Sequence, residues 1–368
     1  MKGFWKSCMI APLLAIVWIG DSVARIRLQT RIRVPEKLST VRLSDGRAFI
    51  EFVNPNMGWI ANERTIWQTL DGGRNWQIIF RGLPTWHDWA IIEEFQFIGP
   101  QNGWIAVSGE GLFKTEDGGR QWLRLPNPDR DLVIQAIRFI DEGKRGWVGG
   151  VVLRSLSRDV GSRTPRNGQY ALLAGTTDGG LTWKNQTIAS TRAIQKIWFK
   201  GSKGGWALGS PGLFRHSPET DEWYEVDLRR PGRCQNILML RSLDSTNVVQ
   251  GPTALGFSNA YVGWLSFKNG YVAQTTDAGE TWCDLASPEA VWKVRGGETF
   301  FWRLQFLNTK NGWAAGDGGI YQTLDGGRTW AKVKLPDEVK DFFILDAQNG
   351  WAVTKDAVYA VRPHDRYR

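Results

Sequence analysis

Five copies of one eight-residue motif carry the most regularly spaced carboxylates of the chain. They read TLDGGRNW at 69–76, TEDGGRQW at 115–122, TTDGGLTW at 176–183, TTDAGETW at 275–282 and TLDGGRTW at 323–330. Hydrolysis of a glycoside would need two carboxyl groups that face each other across a sugar. An Asp followed by Gly is instead typical of a tight turn, in which the carboxylate accepts backbone N–H groups two or three residues further on. We therefore interpret the motif aspartates as structural turn residues: Asp71, Asp117, Asp178, Asp277 and Asp325.

Two arginine-rich stretches offer chemistry of a different kind. The first is VVLRSLSRDVGSRTPRNGQY at 151–170, and the second, near 229–252, begins RRPGRC. Arginine suits bidentate recognition of carboxylates or phosphates, and binding groups tend to lie on loops held by a rigid scaffold. An alternative is that these residues only keep the surface solvated. The candidate partner-binding residues are Arg154, Arg158, Arg163, Arg166, Arg229, Arg230 and Arg233.

Histidine and cysteine offer little for a metal site. The three histidines, His87, His216 and His364, are scattered and stand apart from any cysteine cluster, so we expect no metal and no cofactor. Cys234 and Cys283 either form a disulfide or remain two thiols. A bridge would stabilise the fold by about 4 kcal/mol in the chain-entropy model.

A second repeat accompanies the first and indicates the scaffold. Gly-Trp begins at residues 58, 103, 146, 205, 263, 312 and 350. This spacing is that of a four-stranded propeller blade with insertions, so the sequence predicts an all-β, seven-bladed β-propeller.

The strands of each blade can be placed on these motifs. An alternating run such as AFIEFV at 48 gives the first strand, Gly-Trp opens the second, TIWQT at 65 gives the third and NWQIIF at 75 the fourth. The seventh unit ends without residues for a fourth strand. We expect an N-terminal strand, from 26–34 or 39–44, to complete the last blade and close the ring.

The N-terminus has the pattern of an export signal. A basic start with Lys2 and Lys6 precedes an apolar run and the small residues Ser22 and Ala24, which predicts a signal peptide over 1–24 and a propeller over 25–368. Cys8 precedes the apolar run, whereas a lipoprotein attachment cysteine would follow it. Net charge falls from +9 to +8 on cleavage, so the exported protein stays basic.

The pairing of Gly-Trp with TxDGGxTW resembles the Asp-box repeat of bacterial neuraminidases, and in particular the family of photosystem II assembly and stability factors. The resemblance spans residues 45–361. It implies a non-catalytic propeller in the thylakoid lumen, or the periplasm, that binds the newly made D1 reaction-centre protein. Cyanobacterial members carry a lipoprotein signal that this chain lacks, so the resemblance is to a divergent member.

Two classes of function follow. The first is a monomeric, non-catalytic propeller that binds a protein partner at the membrane surface. The alternative is a secreted glycoside hydrolase, sialidase-like or xyloglucan-cleaving-like, although no pair of carboxylates stands out once the turn aspartates are set aside. The export signal disfavours nucleic acid as a partner despite the sequence pI of about 9.5.

Overall fold

The computed structural model describes residues 35–153, 169–199, 204–228, 251–268, 271–285, 301–316 and 318–362. The predicted signal peptide and the candidate strand at 26–34 lie outside these ranges. No helix in these ranges has the length and apolar character needed to cross a membrane.

Twenty-eight strands form seven four-stranded antiparallel sheets, the blades. Blade 1 contains β2 (Ala48–Phe52), β3 (Gly58–Asn62), β4 (Thr65–Thr69) and β5 (Gln77–Phe80). Blade 2 contains β6 (Ile92–Phe97), β7 (Gly103–Val107), β8 (Gly111–Thr115) and β9 (Leu123–Arg124). Blade 3 contains β10 (Leu132–Ile140), β11 (Arg145–Leu153), β12 (Gln169–Thr176) and β13 (Lys184–Ile188), with a short 3-10 turn at Asp141–Gly143.

Blade 4 contains β14 (Ile194–Phe199), β15 (Gly205–Gly209), β16 (Leu213–Ser217) and β17 (Glu222–Glu225). Blade 5 contains β18 (Pro252–Phe257), β19 (Gly263–Phe267), β20 (Val272–Thr275) and β21 (Cys283–Asp284). Blade 6 contains β22 (Phe301–Phe306), β23 (Gly312–Gly316), β24 (Gly319–Thr323) and β25 (Ala331–Val333). Blade 7 contains β26 (Val339–Ile344), β27 (Gly350–Thr354), β28 (Ala357–Ala360) and β1 (Glu36–Thr40).

An N-terminal strand closes the ring, as predicted, but this strand is β1 (Glu36–Thr40), which overlaps the candidate segment 39–44 only at residues 39 and 40. β1 pairs antiparallel with β28, with Glu36 opposite Ala360 and Thr40 opposite Ala357. The hydroxyl of Ser39 also donates to the carbonyl of Gly73 in blade 1, at 2.7 Å. One short segment therefore supplies the fourth strand of blade 7 and fastens that blade to the first.

Two features differ from the expected strands. The fourth strand of blade 1 begins at Gln77 rather than Asn75, because the Trp76 indole is used in the preceding turn, where Nε1 donates to the Gly73 carbonyl at 3.1 Å. In blade 3, β11 and β12 have nine and eight residues, where their counterparts in blade 1 have five. The two ends of the first arginine-rich insertion, residues 151–153 and 169–170, therefore lengthen the hairpin of β11 and β12.

Aromatic side chains form the joints between blades. The Gly-Trp indole of one blade stacks on the Phe that ends the innermost strand of the next, as Trp59 does on Phe97 with ring centroids 3.8 Å apart. The motif Trp after the DGG turn, here Trp122, meets the same Phe edge-on. A Cβ at Gly103 would lie 2.6 Å from the Phe97 ring, so this position of the motif requires glycine. The joint contributes aromatic contacts beyond the apolar area it buries.

The joints also explain why the two motifs occur together. Trp59 Nε1 donates to the carbonyl of Gly118, which lies in the DGG turn of the following blade, at 3.0 Å. Trp351 makes the same bond to Gly72 across the closure of the ring, at 2.8 Å. At the joint between blades 6 and 7, Ile344 takes the place of the Phe and shares a core cluster with Trp313. Blade 7 has no DGG turn.

Candidate functional site

The five motif aspartates face their own turns. Asp71 Oδ1 accepts the backbone N–H of Arg74 at 3.1 Å and of Asn75 at 2.9 Å, and the Thr69 hydroxyl at 2.9 Å. The donors are three and four residues further on, rather than two or three, because the turn is wide enough to hold both glycines at positive φ. In blade 3 the Thr182 hydroxyl, which donates at 2.5 Å, holds the pKa of Asp178 below its usual value. These carboxylates are engaged by backbone and hydroxyl donors.

Blade 4 lacks the DGG turn and joins β16 to β17 by a shorter turn at 218–221. His216 lies seven residues before Trp223, the position of the motif Thr. Its Nε2 and Asp221 Oδ1 are 3.0 Å apart, and burial lowers the pKa of the imidazole although Asp221 opposes the shift. This histidine is part of the blade packing, between the rings of Trp147 and Trp223.

The propeller has two distinct faces. In every blade, the turn between the first and second strands lies at one end, together with the DGG turn where the blade has one, and we call this end the turn face. The hairpin between the second and third strands and the connection to the next blade lie at the other end, the mouth face. This follows from the antiparallel order of the strands.

A cavity of about 600 Å³ opens on the mouth face, at the beginnings of the innermost strands. Phe49 and Trp302 contribute apolar surface. Its charged lining residues are Asp45, Arg47, Glu93, Lys196, Lys268, Arg303, Glu338, Lys340 and Asp341. Both signs of charge are therefore present around the mouth.

Ion pairs join most of these charges across blades. Arg47 pairs with Glu93 at 3.4 Å, and Arg303 pairs with Asp341 at 2.5 Å. Asp341 also accepts the backbone N–H of Ile50 at 3.0 Å. Lys268 makes no ion pair within the described ranges. An exposed pair such as that of Arg47, whose side chain is 73% exposed, contributes about 0–1 kcal/mol, whereas the carboxylate of Asp341 is buried.

The seven candidate arginines, 154, 158, 163, 166, 229, 230 and 233, lie outside the described residues. The strands that flank them are described. Residues 154–168 connect β11 to β12, and residues 229–250 lie between β17 and β18. The described strands on either side of each segment end and begin at the mouth face, where the cavity opens.

The two cysteines are only partly described. Cys283 begins β21 and is disulfide-bonded. Cys234 lies outside the described residues, so its pairing with Cys283 remains a prediction. No group of three His, Cys, Asp or Glu side chains suited to a metal ion occurs in the described parts of the chain.

The connection between blades 1 and 2 presents an aromatic site that the motifs did not reveal. Trp89 is 61% exposed and stacks on the His87 ring, with centroids 5.1 Å apart. The buried carboxyl of Glu110 fixes His87 through its backbone N–H at 2.8 Å and its Nδ1 at 2.7 Å. In the sequence, the signal that could have indicated this site is the pair of tryptophans within TWHDW at 85–89. The exposed ring is held rigidly on the mouth face.

Comparisons with known proteins bear on the identity of this propeller. No family profile matches the chain. A photosystem II assembly protein Ycf48 of Synechococcus sp. (strain JA-2-3B'a(2-13)) is 26% identical over 345 residues, which cover 84% of this chain and 96% of that protein. The chloroplastic photosystem II stability/assembly factor HCF136 of Arabidopsis thaliana is 23% identical over 319 residues, which cover 72% of each chain.

Solved structures share the fold. The structure described as YCF48 bound to D1 peptide superposes with a TM-score of 0.62 and 19% identity, covering 90% of this chain and 99% of that one. An ancestral GH74 enzyme superposes with a TM-score of 0.61 and 13% identity, covering 90% of this chain and 46% of that one. The fold is shared with both, and the curated sequence relatives that cover most of the chain include photosystem II assembly and stability factors. The chain is thus a divergent relative of the photosystem II assembly and stability factors.

Proposed function

We propose that this protein is an exported, non-catalytic propeller that binds a protein partner during assembly of photosystem II, with a reaction-centre protein such as D1 as the partner. The observation that carries the proposal is the match of 345 residues with a photosystem II assembly protein, which covers 96% of that protein. The compartment that fits is the thylakoid lumen or the periplasm.

The mouth face is the surface that best fits this role. It combines an exposed, rigidly held aromatic ring, Trp89, with a rim of charges that includes the unpaired Lys268. Protein interfaces are commonly anchored by a few rigid aromatic side chains and steered by surrounding charge. On the turn face, the regularly placed carboxylates are bonded to their own turns.

Binding of a D1 peptide to the full chain tests the proposal. We expect a synthetic lumenal D1 segment to bind, a scrambled peptide to fail, and affinity to fall as salt rises because exposed charges are screened. Trp89→Ala on the mouth face should weaken binding at least about tenfold, in the range of an interface anchor. Tyr261→Ala is the matched control, since Tyr261 is an aromatic residue, 63% exposed, on the turn face.

A hydrolase is the alternative, and the fold likeness to an ancestral GH74 enzyme favours it. That likeness concerns the scaffold, and function resides in the site. Incubation with aryl glycosides and with xyloglucan separates the two functions. Release of chromophore or of reducing ends by the purified chain, with no binding of the D1 peptide, would replace the assembly function with the hydrolase.

A further inference from the structure

We call the residue that precedes the joint Phe or Ile of each innermost strand the clamp position. In blade 2 this residue is Gln96, whose amide Nε2 donates to the carbonyl of Phe139 at 2.9 Å and whose Oε1 accepts the Phe139 N–H at 2.7 Å. Gln305 makes the same pair of bonds to Ile344. At these two joints a glutamine amide clamps one innermost strand to the end of the next.

Arg138 occupies the clamp position of blade 3 and cannot make this pair of bonds, because a guanidinium has no acceptor. Its side chain instead lines an inner channel of about 150 Å³ along the propeller axis. The Nε atom is buried and donates no hydrogen bond within the described residues, and Arg138 forms no ion pair there. A partly buried cation that lines the channel is therefore left with an unused donor within the described residues.

The other channel charges are largely balanced among themselves. Lys196 pairs with Glu94 at 3.2 Å, and Arg303 pairs with Asp341. Glu51 accepts the Phe97 N–H at 2.8 Å, and burial raises the pKa of its carboxyl to about 7 although Arg138 and Arg303 oppose the shift. At neutral pH and below, Glu51 is substantially protonated, so the channel carries an excess of positive charge.

We propose that the inner channel binds a small oxyanion, a carboxylate or a phosphate group, on Arg138 with Arg303 and Lys196 beside it. The planar guanidinium presents parallel N–H groups that match two oxygens of such an anion. Lys196 and Arg303 line both the inner channel and the mouth cavity, which gives the anion a route from the mouth face. The site does not depend on the proposed protein partner.

Protonation of Glu51 should control the affinity. An ionised carboxylate at Glu51 would repel the anion, and protonation removes that repulsion. Burial and the nearby Glu94 oppose ionisation of Glu51, whereas the Phe97 N–H, Arg138 and Arg303 favour it. Anion affinity should therefore rise as pH falls from 8 to 6.

Calorimetric titration of the full chain at constant ionic strength tests the site. Acetate serves as the carboxylate probe, and sulfate serves as a phosphate-like probe that does not titrate between pH 6 and 8. We expect saturable one-to-one binding of at least one probe, and the tighter probe identifies the class of ligand. Absence of saturable binding of both would mean that water alone fills the channel, and the proposal would be wrong.

Arg138→Gln is the decisive variant, because glutamine is the residue that the same position carries in blades 2 and 6. It should preserve the fold and weaken binding at least about tenfold. Arg138→Lys keeps the charge without the planar fork and should weaken binding by about threefold or more. Arg47→Gln is the control, since Arg47 lies at the rim with its side chain 73% exposed, and it should leave binding within about twofold of the parent. Unchanged affinity in both Arg138 variants would overturn the assignment.

Discussion

Glu51→Gln should stabilise the protein at alkaline pH and have little effect at acid pH. Glu51 holds the clamp position of blade 1, where its carboxyl accepts the Phe97 N–H at 2.8 Å. An ionised carboxylate cannot donate to the Phe97 carbonyl, whereas the amide of Gln96 does donate to the equivalent Phe139 carbonyl at 2.9 Å. Glutamine at residue 51 supplies that donor and removes the cost of burying a charge.

The magnitude follows from the pKa of Glu51, which burial raises from 4.5 to about 7. A pKa that is about 2.5 higher in the folded than in the unfolded protein corresponds to about 3 kcal/mol in the free energy of unfolding. Because the folded pKa is the higher one, the contribution is fully present below pH 4.5 and is lost as pH rises through 7. The carboxyl keeps some contact with water in the channel, so about 3 kcal/mol is an upper bound.

Denaturant unfolding of parent and variant at pH 4.5, 6, 7 and 8 measures this difference. We expect the advantage of Glu51→Gln to grow with pH and to level off above the folded pKa of about 7. Gln96→Glu is the matched control, since it places a carboxyl in a working clamp and should lower stability increasingly as pH rises. An advantage of Glu51→Gln that is the same at every pH would refute the burial argument.

Three further predictions concern the turns, the closure and the arginines. Asp325→Ala should lower the free energy of unfolding by about 1–2 kcal/mol, because it removes the acceptor of a turn N–H. Partner binding by the folded fraction should stay intact. Lost binding at unchanged stability would contradict a structural role. Deleting residues 25–44 removes β1 and should cause aggregation or a sharp fall in melting temperature, so an unchanged melting temperature would show that the segment is dispensable. Converting Arg158, Arg163 and Arg166 to Glu should slow association with the partner several-fold and flatten its salt dependence at constant melting temperature. The same change at Arg229, Arg230 and Arg233 provides the comparison, and full binding by both triple variants would make the arginines solvating residues.

The scaffold could be predicted from the sequence because the joints repeat. Each Gly-Trp and each DGG turn serves a contact between neighbouring blades, as Trp59 and Gly118 show, so their period reports the number of blades. The third strand of blade 1, at 65–69, coincides with the predicted segment TIWQT for the same reason. A motif that is needed at every joint leaves a periodic trace in the sequence.

The channel residues could not be predicted, because what they do depends on a neighbouring blade. Glu51, Gln96 and Arg138 occupy equivalent positions and have different partners, and nothing within their own strands distinguishes a clamp from an unpaired cation. Trp89 was missed because it lies on a connection of irregular sequence. Its fixed orientation comes from Glu110, which is 21 residues away along the chain.

Closure of the ring by β1 has a consequence for the life of the nascent chain. The partner of Glu36 is Ala360, so β1 stays without its partner strand until residue 360 has been made. At the adjoining joint, Ile344 stands in place of a Phe, so Trp313 has no stacked ring there to hold the closing blade beforehand. Sealing of the propeller therefore follows synthesis of β28. Products truncated before β28 would retain an open β edge, which quality-control proteases can recognise.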